Sequence, residues 1–300
     1  MLIRGGACVT LDGCGSATGS GVGDPHYRTY DGVFYDLFDH CSHVFTKDCT
    51  GDTFTVISIT SNACSGGGAP TCVERAVIRV PELNTEVMLN SRPLEATFVG
   101  DTPASADLSL AVTNVITVNI FKLGVVVNFG LYYLSVTVPG RYFGNTCGLV
   151  GTYDGDPTND FQLPNGTVVD GPTAEFEEAW RVDLPNDGCD PVDPQPAPPC
   201  EAAARQQAEA FCAPLRGAAF TACHASVPPD QVFSDCVLDH CSCDTEVCGC
   251  SVIVNYAERC QALGITVGPL PAVCGTYVIS AHNHLKFLSI VSILFSHSKP

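Results

Sequence analysis

The chain has 300 residues, 45% of them hydrophobic, and a formal net charge of −18 from 14 Lys and Arg against 32 Asp and Glu. That apolar content can fill one large core or two ordinary ones, which excludes a disordered chain. So few cations on so acidic a chain argue against nucleic acid, whose binding needs clustered Lys and Arg, and leave divalent cations and basic partners as better matches.

In chain order, Met1-Leu2-Ile3-Arg4 leads into Gly5-Gly6-Ala7-Cys8 without the apolar stretch of a signal peptide, so the sequence is read as starting inside a longer protein. From Val33 to Val138 come short runs of Val, Ile, Thr, Phe and Tyr, several alternating as in Val73-Glu74-Arg75-Ala76-Val77-Ile78-Arg79-Val80. They predict antiparallel strands. Asp31-Gly32, Ser65-Gly66-Gly67-Gly68 and Pro139-Gly140 supply turn chemistry between them. With almost no helical periodicity before residue 170, the expected fold is mainly β, an antiparallel β-sandwich.

The prolines of Asp190-Pro191-Val192-Asp193-Pro194-Gln195-Pro196-Ala197-Pro198-Pro199 forbid helix interiors and central strands, and mark a linker. Beyond it, Glu201 to Phe211 is rich in helix formers. Ser251 to Leu263 places Ile253, Tyr256, Ala257 and Cys260 on one helical face. The second part is therefore expected to be a small disulfide-rich α-helical domain. Leu285 to Phe295 is apolar but too short to span a bilayer, and is read as a packed strand or a truncated tail rather than half of a lipid-anchor signal. The organisation is thus an N-terminal segment (1–21), a sandwich (22–189), a linker (190–199), a helical domain (200–274) and a truncated or non-native tail (275–300).

Eighteen cysteines, an even number, place the chain in an oxidising compartment, secreted and extracellular. Cys241-Ser242-Cys243 and Cys248-Gly249-Cys250 have one-residue gaps, unlike zinc ligand pairs, and are read as disulfide partners. His40 and His43 flank Cys41 and are read as surface histidines on a strand with nothing to complete a metal site.

Asp154, Asp156, Asn159 and Asp160 share a loop with Gly155 and Pro157. This density of oxygen ligands suits Ca²⁺, although the same residue types build ordinary turns and the spacing is not that of an EF-hand. The Asp24-Pro25 bond is chemically fragile: the Asp24 carboxylate can attack its own carbonyl carbon, the proline nitrogen leaves once protonated, and His26 can move the proton near mildly acidic pH. Asn165-Gly166-Thr167 is a good glycosylation sequon and Asn145-Thr146-Cys147 a poor one. No phosphate-binding glycine loop and no nucleophile elbow is present, so no enzyme is expected beyond self-cleavage at Asp24, Pro25 and His26.

Two segments carry a family resemblance. Gly23-Asp24-Pro25-His26-Tyr27-Arg28-Thr29-Tyr30-Asp31-Gly32 followed by Phe34, Tyr35 and Cys41, and Cys147-Gly148-Leu149-Val150-Gly151-Thr152-Tyr153-Asp154-Gly155-Asp156 closed by Asn159-Asp160-Phe161, resemble the von Willebrand factor type D domain, together with Glu175-Phe176 and Trp180. Cys236-Val237-Leu238-Asp239-His240-Cys241-Ser242-Cys243 and Tyr256-Ala257-Glu258-Arg259-Cys260 resemble the eight-cysteine domain that follows it in von Willebrand factor, gel-forming mucins, zonadhesin, tectorin and IgG-Fc-binding protein.

The resemblance implies one Ca²⁺ held by Asp31, Asp154, Asn159 and Asp160 with the backbone carbonyl of Asp156, and at weaker strength by Thr152, where the family usually has Asn. It implies the pairs Cys41 with Cys189, Cys49 with Cys147 and Cys64 with Cys72, which leaves Cys8 to bond Cys14. Val150 stands where many type D domains have the second cysteine of Cys-Gly-Leu-Cys, so no redox pair is expected. It also implies an extracellular structural or adhesion glycoprotein of matrix, mucus or gamete coats, with protein or glycoprotein partners. The even cysteine count adds the expectation that this fragment is monomeric, and no membrane span is expected.

Overall fold

The computed structural model describes residues 15–23, 25–61, 71–113, 115–185, 187, 189, 200–242 and 247–274. Cys8, Cys14, Asp24, Cys64, Cys243, the Ser65 to Gly68 turn, the proline linker and the tail lie outside them.

Among the described residues, thirteen strands form two antiparallel sheets. The first contains β1 (Ser16–Val22), β2 (His26–Arg28), β3 (Phe34–Asp36), β9 (Leu108–Val112), β10 (Ile116–Ile120), β11 (Val125–Gly130) and β12 (Tyr133–Pro139), in the order β3-β2-β1-β12-β11-β10-β9. The second contains β4 (Ser42–Asp48), β5 (Thr55–Ser61), β6 (Cys72–Val80), β7 (Thr85–Ser91), β8 (Leu94–Gly100) and β13 (Thr146–Cys147), in the order β13-β4-β5-β6-β7-β8.

The core between the sheets follows from period-two alternation. Val118, Val127 and Val136 are cross-strand neighbours, and all three are buried in the core with Val56, Ile78 and Leu89 from the other sheet. Their alternates are polar: the Thr18 and Thr137 hydroxyls pair at 2.8 Å and Thr117 donates to Asn128 at 2.9 Å. β5 breaks the alternation and is buried from Val56 to Thr60, because its other face is also covered. There Ile57, Ile59 and Val77 pack against Met88, Val182 and Leu184.

Helix α1 (Ala174–Trp180) holds the segment after the sandwich in place. The Thr173 hydroxyl caps it by accepting the Phe176 N–H at 3.2 Å, and Phe176 and Trp180, four residues apart, are both buried. The Trp180 indole donates to the Gln162 carbonyl at 3.0 Å.

The second part is helical: α2 (Ala202–Cys212), α3 (Pro229–Ser242) and α4 (Val247–Ala262). Ile253, Tyr256, Ala257 and Cys260 are all buried in its core, where the Phe220 and Tyr256 rings lie 5.0 Å apart. Disulfides join Cys200 to Cys241, Cys212 to Cys236, Cys223 to Cys260 and Cys250 to Cys274. Each of these bonds restricts the unfolded chain, which a core this small needs.

The two parts meet at the β1–β2 corner. Val22 packs into the helical core, and Gly23 takes a left-handed conformation (φ 61°) directly against Asp239 of α3. A Cβ on Gly23 would lie 2.0 Å from the Asp239 Oδ2, so only glycine allows the approach.

Candidate functional site

The acidic loop closes on the turn between β2 and β3. Asp31 Oδ2 accepts the backbone N–H groups of Asp154 at 3.2 Å and Gly155 at 2.8 Å, joining segments that are 123 and 124 residues apart. Asn159 Nδ2 donates to Asp154 Oδ2 at 2.8 Å, and the Thr29 hydroxyl donates to Asp160 Oδ2 at 2.6 Å. Gly151 (φ 73°) lets the chain pass over Asp160, whose Oδ1 would lie 2.1 Å from any Cβ there. Asp31, Asp154, Asn159 and Asp160 are thereby brought to one corner, with buried Thr152 near the start of the loop. Asp156 differs. Its carboxylate is turned to the Thr158 N–H and hydroxyl, and its backbone carbonyl accepts the Asn159 N–H at 3.4 Å.

Two oxygens in this corner, Asn159 Oδ1 and Asp160 Oδ1, are buried without a hydrogen-bond partner. Such atoms cost free energy unless something satisfies them. Asp160 is only 1% exposed, and burial pushes its carboxyl up to about 7, with the charges of Asp31 and Asp154 adding. The Thr29 hydroxyl and Thr152 N–H, which face the same carboxylate, offset part of this. Burial also raises Asp31. Crowded carboxylate and amide oxygens lacking donors are the chemistry of a hard oxygen-seeking cation, and the residues present fit Ca²⁺.

His26 on β2 is buried between two carboxylates, with Nδ1 2.7 Å from Asp36 Oδ1 and Nε2 2.6 Å from Asp239 Oδ1. Burial alone drives its pKa down, but the Asp239 charge and the hydrogen bonds to Asp239 and Asp36 more than offset this and raise it well above the ordinary value. This corrects the expectation of a charge change near mildly acidic pH, because the ring is held as an imidazolium to higher pH. Pro25 is buried beside it.

The structure joins Cys41 to Cys189 and Cys49 to Cys147. Cys72 is also disulfide-bonded, and no described cysteine is free. Cys241 and Cys250 are likewise consumed in disulfides. Val150 is fully buried in the sandwich core, its N–H bonded to the Phe45 carbonyl, so this position packs apolar surface. Asn165 is exposed in its loop, whereas Asn145 is half-buried with its side chain bonded to Thr50 and Phe143.

A sequence model of the von Willebrand factor type D domain matches residues 19–167, and one of the C8 domain matches residues 211–271. The chain belongs to this type D and C8 family. It is 32% identical over 291 residues to human IgGFc-binding protein and 30% identical over 277 residues to human Mucin-5AC, alignments that cover 87% and 86% of the chain. It is 26% identical over 264 residues to bovine von Willebrand factor, covering 82% of the chain. The chain spans 5% of the length of the first two and 27% of the third. Within the type D fold, β13 and the loop after it carry the second family segment, and the β1–β2 corner carries the first.

One expectation about this type D domain is overturned. His43 is not a surface residue: it is 0% exposed on β4 and lies against Asp39, with Glu177 of α1 close by. The strand reading failed because α1 packs over this end of β4 and covers a side chain that an isolated strand would leave in water. Asp36, Asp39, Glu177 and Asp239 were all missed as functional candidates, since only the folded chain brings them to their histidines.

Proposed function

We propose that this chain is a calcium-stabilised, disulfide-bonded module of a secreted extracellular structural or adhesion glycoprotein, acting in the assembly of matrix, mucus or gamete coats. The observation that carries the calcium reading is the pair of buried, partnerless oxygens, Asn159 Oδ1 and Asp160 Oδ1. Asp31, Asp154, Asn159 and Asp160 would hold the ion with the backbone carbonyl of Asp156, and the Thr152 hydroxyl would be a weaker ligand. When bound, Ca²⁺ supplies the positive charge that offsets repulsion among these carboxylates. The chain's own hydrogen bonds already dock the loop on the Tyr30-Asp31 turn, so the role is structural. Thermal melting of Asp154→Ala in saturating calcium checks the assignment: a lowered midpoint is expected, and an unchanged one would show that the loop is not the site.

The partners are extracellular proteins or glycoproteins, and the fragment is a monomer; no helix among the described residues is long and apolar enough to cross a membrane. Similarity to IgGFc-binding protein, Mucin-5AC and von Willebrand factor supports the extracellular assignment. Asn165 is the glycan site, and conversion of Asn165 to Asp by peptide-N-glycosidase, read by mass spectrometry, tests it.

A second reading, self-processing at Asp24-Pro25, is favoured by the charged His26 ring two residues beyond Asp24, held in place by Asp36 and Asp239. For the ring to hand a proton to the departing proline nitrogen, one of these two hydrogen bonds must first open. Intact mass spectrometry after incubation at mildly acidic pH tests it: with Cys8 bonded to Cys14, both before the scissile bond, cleavage frees residues 1–24 with or without reductant, and an unbroken Asp24-Pro25 bond would refute the reading.

A further inference from the structure

Near the Cys41–Cys189 disulfide, three side chains from three parts of the chain converge. Asp39 precedes β4, His43 lies on β4, and Glu177 lies on α1. The helix is held over the strand by its buried Phe176 and Trp180, and the segment after it is stitched to β4 by the Val182 N–H on the Ser42 carbonyl at 2.8 Å. One ligand atom from each of Asp39, His43 and Glu177 lies within 4.8 Å of the other two.

The cluster has a vacancy in its bonding. Asp39 Oδ1 is engaged by the Cys41 N–H at 3.3 Å and the Thr60 hydroxyl at 3.1 Å, while its Oδ2 faces His43 Nε2 at 3.2 Å. That approach lacks the direction of a hydrogen bond, and both His43 nitrogens are buried without a hydrogen-bond partner. A fully buried imidazole with neither nitrogen in a hydrogen bond carries a free-energy cost unless a further group satisfies it.

We propose that Asp39, His43 and Glu177 form a binding site for a divalent transition-metal ion of the zinc class, separate from the acidic calcium loop. An imidazole with two carboxylates selects such an ion over Ca²⁺, which takes oxygen ligands. Ligands about 2.0 Å from a tetrahedral zinc lie about 3.3 Å from one another, which matches the 3.2 Å between His43 Nε2 and Asp39 Oδ2. Glu177 is half-buried, which leaves the cluster a path to solvent. Arg181, the nearby cation, is drawn off to Glu178 at 3.3 Å and Asp183 at 3.8 Å. The bound ion would clip α1 to β4 beside the Cys41–Cys189 disulfide.

The test is calorimetric titration of zinc chloride into the metal-stripped, fully disulfide-bonded chain in excess calcium, paired with melting curves. One zinc per chain and a raised midpoint are expected. Binding should weaken by more than about tenfold in His43→Gln and in Glu177→Gln, and persist in Asp154→Ala. Absence of zinc binding by the unsubstituted chain, or affinity unchanged in both variants, would overturn the proposal. Should either variant misfold, the unsubstituted chain loaded with Co²⁺ decides: intense visible bands of a tetrahedral site support the proposal, and the weak spectrum of hydrated Co²⁺ refutes it.

Discussion

At the His26 corner, Asp36 and Asp239 close on a ring that carries its own positive charge, whereas Asp31, Asp154 and Asp160 crowd together with no ion pair to Lys, Arg or His among the described residues. The first corner neutralises its carboxylates from within the chain, and it spans the type D sandwich and the C8 helices. The second leaves two buried oxygens, Asn159 Oδ1 and Asp160 Oδ1, without a hydrogen-bond partner, and on the proposed reading an ion from outside satisfies them. The junction between the two parts should therefore hold at any calcium level, while the loop from Gly151 to Asp160 should respond to calcium directly.

The largest effect should come from breaking the self-contained corner. Asp239→Asn removes one partner of a buried ion pair, and the expected loss is about 3 kcal/mol or more in urea unfolding, with or without calcium. Next comes calcium itself. At a free concentration near 100 times its Kd, the ion should add about 2.7 kcal/mol, and Asp160→Asn should abolish that increment in melting curves while leaving the calcium-free protein at least as stable as the parent.

The pH response of the first corner should be smaller per unit. The folded His26 pKa is raised, so its contribution is complete below the unfolded value of about 6.5 and is lost as pH climbs through the folded value. Stability in saturating calcium should thus fall above about pH 6.5 by up to about 1.4 kcal/mol per unit. Asp36, Asp239 and Asp235 face the ring, and His26→Gln should flatten the slope. The smallest effect should follow Glu86→Ala, which frees Arg79 from a half-exposed pair at 2.9 Å and should cost less than about 1 kcal/mol by the same unfolding assay. A larger loss there would erase the contrast between charges paired in water and charges paired in the protein.

Much of the sandwich was legible because burial imposes alternation: Val73 to Val80 reads as the strand it forms, and Ile253, Tyr256, Ala257 and Cys260 mark the buried face of α4. Helix α3 was less visible, since Asp239, buried against His26, interrupts its apolar face. Pro229 at its first position was the available start signal. In the acidic corner, Asp154 to Asp160 were readable as one short loop, while Asp31 entered through the family resemblance, being more than a hundred residues away. Asp239 and Glu177 had no local spacing to reveal them. Their partners are set by how α3 and α1 pack, which no window of sequence contains.

The central claim is that the acidic loop needs an external cation, and calorimetric titration of calcium into the metal-stripped chain tests it most directly. The account predicts one site of oxygen ligands per chain, lost in Asp160→Asn and retained in His43→Gln. Absence of calcium binding by the unsubstituted chain, or binding undiminished by Asp160→Asn, would contradict it.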